Sequence, residues 1–185
     1  MALQLRPARL SAPMADFFKR CQETQGFVPN VLQAFSFDMA KLEAFLAYRN
    51  DLMLGGSGLS VLEREMIAAA VSAQNHCFYC LTVHGAAVRN LSGDPVLGDM
   101  MAMNYRAARL SKRQRTMLDF AIKLTAEPWG IEEGDRARLR GAGFSDRDIW
   151  DIAAVAAFYN MTNRLASATD MRPNPEYHAM ARPTK

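Results

Sequence analysis

Strand-type alternation of valine, isoleucine and threonine with polar residues is nearly absent from these 185 residues, and that absence limits the fold more than any residue that is present. Alanine, leucine, methionine and arginine, all good helix formers, dominate instead. Glycine and proline cut the chain into helical lengths. The spacing predicts a first helix from about Pro13 to Thr24 ending at Gly26, a short one after Pro29, and a third over Asp38 to Met53 that stops at Gly55-Gly56-Ser57-Gly58. Ser60 and Glu63 form a capping-box signature for the next helix, which frays near Gln74-Asn75-His76; another starts there and runs to about Asn90. Gly93-Asp94-Pro95 turns into a helix through about Met103. Ser111 caps one to Thr125, Glu127-Pro128-Trp129-Gly130 breaks it, and Glu132 to Arg140 leads through Gly141 and Gly143 to a long last helix from Ser145 or Asp146 to about Ala168. The tail from Arg172 reads as an arm or a disordered segment. With 50% hydrophobic and 22% charged residues, the chain suits a single all-α domain with its core over about residues 13 to 170.

One octapeptide carries chemistry. In Cys77-Phe78-Tyr79-Cys80-Leu81-Thr82-Val83-His84 two thiols and an imidazole fall within roughly 60° of one another on a regular helix. Cysteines three apart have Cβ atoms roughly 5–6 Å apart, close enough to bridge after a local adjustment. A histidine one turn further can take a thiol proton, and a helix N-terminus stabilises the thiolate left behind. Three other readings use the same residues. Cys77, Cys80 and His84 could be three zinc ligands, although structural zinc draws on a further ligand pair and only Cys21, His76 and His178 remain. Both cysteines could simply pack in an alanine-rich helix. A permanent disulfide would close so short a loop that it constrains the unfolded chain little.

Glu65 lies in the apolar stretch Leu59 to Val71, faces Ala68 and Ala69 one turn ahead, and has no basic residue at i+3 or i+4. Such a glutamate is either solvated at an edge or buried against another helix for a purpose, and burial would fit it to act as a general base.

Glu65, Cys77, Cys80 and His84 together spell E-x11-CxxC-x3-H. With Gly26-Phe27-Val28-Pro29-Asn30-Val31-Leu32, Leu59-Ser60, Glu63 to Ile67, Phe158-Tyr159-Asn160 and Asn163-Arg164, the chain resembles the alkylhydroperoxidase D and carboxymuconolactone decarboxylase superfamily, most closely its peroxidase-related branch. The resemblance covers most of residues 13 to 170. It implies an alkylhydroperoxidase-D-like helical bundle and a thiol-dependent peroxidase, reducing an alkyl hydroperoxide or hydrogen peroxide through a CxxC dithiol/disulfide cycle, with no cofactor and no metal. By similarity Glu65 is the base, His84 the relay, Cys80 the peroxidatic thiol and Cys77 the resolving one. Helix polarity favours Cys77 as the attacking thiol, whereas proximity to His84 at i+4 favours Cys80, and proximity is followed. The partners implied are a peroxide, a thiol or lipoyl-type reductant protein, and further copies of the chain as dimer, trimer or hexamer.

Two positions depart from the family pattern. Tyr79 stands where characterised alkylhydroperoxidases of this type have a second histidine between the cysteines, and Val83 where the branch often has the first of a His-His pair. A phenol with an ordinary pKa of about 10 relays protons poorly at neutral pH, so Tyr79 is expected to pack and His84 to act alone. The same fold would serve a decarboxylase or lactone-processing enzyme, whose chemistry needs no reducible dithiol. A zinc- or redox-sensing module is the non-enzymatic alternative.

The remaining features exclude more than they assign. A net charge of +3 with scattered basic residues, tightest at Lys112, Arg113 and Arg115, leaves no nucleic-acid footprint. Met1 to Pro13 lacks the apolar run of a signal peptide, and no stretch approaches the about 20 apolar residues of a membrane span, so a cytoplasmic protein is expected. Cys21 is expected to pack. Asn160, Asn163, Arg164 and Ser167 read as a solvated face of the last helix, or else as a subunit contact. Leu59-Ser60 with Arg64 and Met66 recurs as Leu110-Ser111 with Arg115 and Met117, a repeat that chance could also produce.

Overall fold

The computed structural model describes residues 1–182, and no strand occurs among them. Ten α-helices follow in order: α1 Ala12–Gln25, α2 Asn30–Phe35, α3 Met39–Leu54, α4 Val61–Gln74, α5 Phe78–Ser92, α6 Pro95–Met103, α7 Lys112–Ala126, α8 Glu133–Gly141, α9 Asp146–Ala168 and α10 Glu176–Ala179. Boundaries follow local chemistry. Gly26 closes α1 in the left-handed region at φ 83°, where a side chain would be strained. The Asp38 carboxylate accepts from the Lys41 N–H at the start of α3, and Ser60 with Glu63, Ser111 with Gln114 and Ser145 with Asp148 complete reciprocal capping boxes on α4, α7 and α9.

The centre of the bundle is α4. Residues 63 to 72 are buried around the whole circumference of that helix, which can only be satisfied by neighbours on every side. Those neighbours are α5, α6, α7 and α9, and Met66, Ile67, Val71, Met117, Leu118 and Ile152 fill the space between them with no exposed surface. Met53, Leu59 and Val88 extend the same cluster. A second, smaller cluster of Met14, Cys21, Leu32, Leu42 and Leu46 joins α1, α2 and α3 beside it.

Two buried or half-buried arginines repeat one device. The Arg64 guanidinium donates to the carbonyls of Leu52, Gly55 and Leu59, tying the α3–α4 connection to the first turn of α4. Arg115 does the same at α7, donating to the carbonyls of Tyr105, Arg106 and Ala108. With Ser60 and Ser111 both capping, the sequence repeat corresponds to two equivalent helix starts.

Of the two forms left open for the tail, residues 172 to 182 take that of a packed arm; the remaining residues of that stretch lie outside the described ones. Asn174 is buried, accepts from the Asn30 N–H at 2.8 Å and donates to the Val28 carbonyl at 3.1 Å. Arg89, buried on α5, donates to the carbonyls of Tyr177 and Met180. Prolines favoured a loose tail; one buried amide and one buried guanidinium hold it instead. No helix among the described residues is long and apolar enough to cross a membrane.

Candidate active site

Four residues singled out in the sequence come from the α4–α5 pair, whose antiparallel packing sets one beside another. Glu65 is buried on the second turn of α4 and His84 on the second turn of α5, and their side chains meet: His84 Nδ1 lies 2.6 Å from Glu65 Oε2. This resolves the alternatives for Glu65 in favour of burial against another helix. A carboxylate opposite Nδ1 favours the tautomer with its proton on that nitrogen, which leaves Nε2 as the acceptor, and His84 lines the cavity beside Cys80. Tyr159 of α9 packs edge-to-face on the imidazole, with ring centroids 4.4 Å apart and planes at 74°, so the ring cannot swing off the carboxylate without displacing a buried phenol.

The cysteines are both free and both buried, at 2% exposure for Cys77 and 4% for Cys80. Only Cys80 sits on the helix. The link from α4 passes through His76 at φ 52°, a left-handed turn, and Cys77 is the extended N-cap of α5. A single stripe of three helical residues is thus replaced by a thiol at the helix mouth and a thiol and an imidazole inside it.

That difference decides the protonation of the pair. The Cys80 thiol beside it, the backbone N–H groups of Cys80 and Tyr79 and the Ser167 hydroxyl all favour the thiolate form of Cys77. These outweigh burial and bring its pKa from the ordinary 9.0 down to about 6. Cys80 moves the other way: the adjoining Cys77 sulfur, burial and the Cys77 charge favour its protonated form, against Asn163 and Thr162, which favour the thiolate. One proton serves two sulfurs, and it rests on Cys80.

The two thiols also face different spaces. Cys80 and His84 line a cavity of about 340 Å³ shared with Tyr79, Val83, Tyr159 and Thr162 and reaching α1, α2 and α3. Cys77 lies instead on a cleft of about 150 Å³ bounded by His76, Ser167, Asp170 and Arg172. Tyr79 packs as expected, buried, with its hydroxyl accepting from the Val31 N–H at 2.9 Å. Cys21 packs between α1 and α3, and burial pushes its thiol pKa up.

Sequence reasoning missed the α9 face. Asn163, expected in solvent, is 1% exposed and is the hub of a polar network: it donates to Ser72 Oγ at 3.0 Å and accepts from Asn75 Nδ2 at 2.9 Å, beside Cys80. Asn160 joins through Asn75 and Thr125, while Arg164 and Ser167 do lie exposed. The polar cluster on α9 looked like a solvated stripe because periodicity cannot tell water from a facing polar helix end; Asn75 at the end of α4 is that facing group. Among the described residues no group of three His, Cys, Asp or Glu side chains is arranged to hold a metal ion.

Known proteins resemble this chain to different depths. The sequence pattern of the carboxymuconolactone decarboxylase family matches residues 41–95, which take in Glu65, Cys77, Cys80 and His84. The crystal structure of an uncharacterized peroxidase-related protein from Silicibacter sp. TM1040 is 61% identical and superposes with a TM-score of 0.95 over 98% of this chain and 95% of that one. A peroxidase-related protein from Ralstonia eutropha JMP134, described as an alkylhydroperoxidase AhpD core, is 40% identical with a TM-score of 0.93 over 100% of this chain and 97% of that one. The debrominase Bmp8, solved with 2,3,4-tribromopyrrole, shares the fold at 17% identity and a TM-score of 0.80, covering 97% of this chain and 96% of that one. None of the curated proteins matches the sequence. With a 61% identical relative over nearly its whole length and the family pattern across the site itself, the chain belongs to the carboxymuconolactone decarboxylase family, among its alkylhydroperoxidase-D-like, peroxidase-related members.

Proposed function

We propose that the protein is a thiol peroxidase in which Cys80 attacks the peroxide and Cys77 resolves the product. The observation that carries this reading is that Cys80 and His84 line the same cavity, with His84 already bonded to buried Glu65, while an ionised Cys77 waits outside it. His84 Nε2 takes the Cys80 proton, and Glu65 stabilises the imidazolium that forms. The Cys80 thiolate attacks the terminal oxygen of the hydroperoxide, the O–O bond breaks, and the departing alkoxide takes the proton back from His84 as an alcohol. Cys80 is left as a sulfenic acid. The Cys77 thiolate then attacks the Cys80 sulfur, the S–S bond forms, and hydroxide leaves and is protonated to water. Two electrons have passed from the dithiol to the peroxide. An external dithiol, protein-borne or lipoyl-type, returns them by exchange, which suits a reducing cytoplasm. Assembly into a homo-oligomer would cover exposed apolar side chains such as Met103, Trp129 and Trp150.

Mass spectrometry with a sulfenic-acid trap tests the order of events. One equivalent of peroxide should convert the reduced protein to a Cys77–Cys80 disulfide and spare Cys21. Cys77→Ser should accumulate trapped sulfenate on Cys80. If Cys80→Ser accumulates it on Cys77 instead, the roles are reversed; if neither variant forms one, the protein is not a peroxidase of this type.

A further inference from the structure

We infer that Arg49 anchors an acidic head group, so that the cavity beside Cys80 takes apolar hydroperoxides carrying a carboxylate. The inference rests on the peroxidase reading for the reacting end of the substrate and goes beyond it at the other end.

The cavity is too large and too apolar for hydrogen peroxide alone. At about 30 Å³ of liquid volume for one water molecule, its 340 Å³ is several times the space that hydrogen peroxide fills. Its walls are Val31, Leu32, Phe45, Leu46, Phe158 and Tyr177, side chains that select a hydrocarbon or aromatic body. Against that background Arg49 stands out. It comes from the last turns of α3, among the described residues it is the only lysine or arginine on the cavity wall, and no aspartate or glutamate shares the wall with it. It is half-buried, its guanidinium donates to the neighbouring Asn50 side chain at 3.0 Å, and it enters no ion pair among the described residues. Its charge is felt inside: burial and the Glu65 carboxylate behind His84 drive the Tyr159 and Tyr177 phenols above their ordinary range, and Arg49 pulls both back.

A cation with its counter-ion missing at the wall of an apolar cavity is a receptor for an anion, and the planar guanidinium fork fits a carboxylate in two parallel hydrogen bonds. Such a contact also orients. With the carboxylate held at Arg49, the body fills the cavity that Cys80 and His84 also line, and anchoring one end limits the poses the hydroperoxide at the other end can take. The body can be a medium alkyl chain or a substituted aromatic ring, and the head group is the chemistry common to both.

Two measurements on the full chain test this. In the first, cumene hydroperoxide, its para-carboxylated form and the methyl ester of that form are compared as substrates. The acid should show a kcat/KM roughly ten- to a hundredfold above the ester, the range of a charge-assisted hydrogen-bonded pair. Arg49→Gln should bring that ratio close to one through the KM for the acid, and Arg49→Lys, which keeps the charge but not the fork, should restore only part of it. In the second, calorimetry on the reduced protein compares decanoate and para-isopropylbenzoate with their methyl esters, which distinguishes an alkyl from an aromatic body without any turnover. Acid-selective binding that Arg49→Gln abolishes supports the anchor even if no peroxide is reduced, in which case the peroxidase reading alone fails. Equal rates and equal binding for acid and ester overturn the anchor, whatever the peroxidase activity.

Discussion

At the scale of single residues, the shared proton of Cys77 and Cys80 makes the clearest demand on experiment. Because the Cys77 pKa is lowered from 9.0 to about 6, its ionisation contributes stability that is fully present above about pH 9 and is lost as pH falls through about 6. The reduced wild type should therefore gain stability over Cys77→Ser as pH rises across that window, a difference that vanishes below it; denaturant melts at three pH values measure this. Ultraviolet thiolate absorbance of the reduced native protein should rise by one equivalent in a step centred on about pH 6, and Cys77→Ser should abolish that step. The Glu65–His84 bond gives a second expectation. Glu65→Gln and His84→Gln should each slow peroxide reaction by roughly a hundred- to ten-thousandfold, the general acid–base contribution, and the double variant should be no slower than the worse single, because the two residues act as one relay. Independent multiplicative losses in stopped-flow rates would separate them. The sequence left Glu65, on another helix, open between solvent and burial, whereas the shared face of Cys80 and His84 was legible in it because both sit on one helix four residues apart. Asn163 was not, since its partners Ser72 and Asn75 lie about ninety positions away along the chain, a pairing that no local pattern encodes.

Among the helices, the site depends on how closely α5 is held. Gly98 of α6 packs on Gly85 of α5 so tightly that a Cβ at Gly98 would meet the Gly85 carbonyl oxygen at 2.8 Å. Backbone cannot yield as a flexible side chain can, so Gly98→Ala should cost about 1–3 kcal/mol in urea unfolding through overpacking. Because α5 carries Cys80 and His84, the same change should also slow peroxide reduction; a loss of stability with an unchanged rate would mean that the strain is absorbed in α6. Helix existence was readable almost everywhere because capping serines, glycines and prolines act locally; Ser60, Ser111 and Ser145 all cap as their sequence context suggested. The one displacement that matters is the start of α5. A non-glycine residue in the left-handed region is rare enough that nothing in Asn75-His76-Cys77 announced it, and it moves Cys77 from the helix to its mouth.

Across the whole molecule, the C-terminal arm completes the cavity. Its composition suggested a loose segment, because three prolines and few apolar residues give little to bury; the holding groups are instead the Asn174 amide, the Arg89 guanidinium and one aromatic, Tyr177, which packs edge-to-face on Phe27 at 5.0 Å and forms part of the cavity wall. Ending the chain after Arg172 would remove both carbonyl partners of Arg89 and open the cavity beside His84. The lost hydrogen bonds are charge-assisted, worth roughly 1.5–3 kcal/mol each in place, but Arg89 would gain water in exchange, so a net loss of about 1–3 kcal/mol is expected. Catalysis should change in kind as well as degree. An opened cavity no longer strips water from an apolar substrate, so the preference for cumene hydroperoxide over hydrogen peroxide should fall. Tyr177→Ala keeps the arm's backbone partners and removes only the wall, and it should reproduce the loss of preference with a smaller loss of stability. Steady-state kcat/KM ratios for the two peroxides in both variants, read beside their thermal melts, separate the arm's two contributions: a melt lowered with the ratio unchanged would reduce the arm to a clamp on α5.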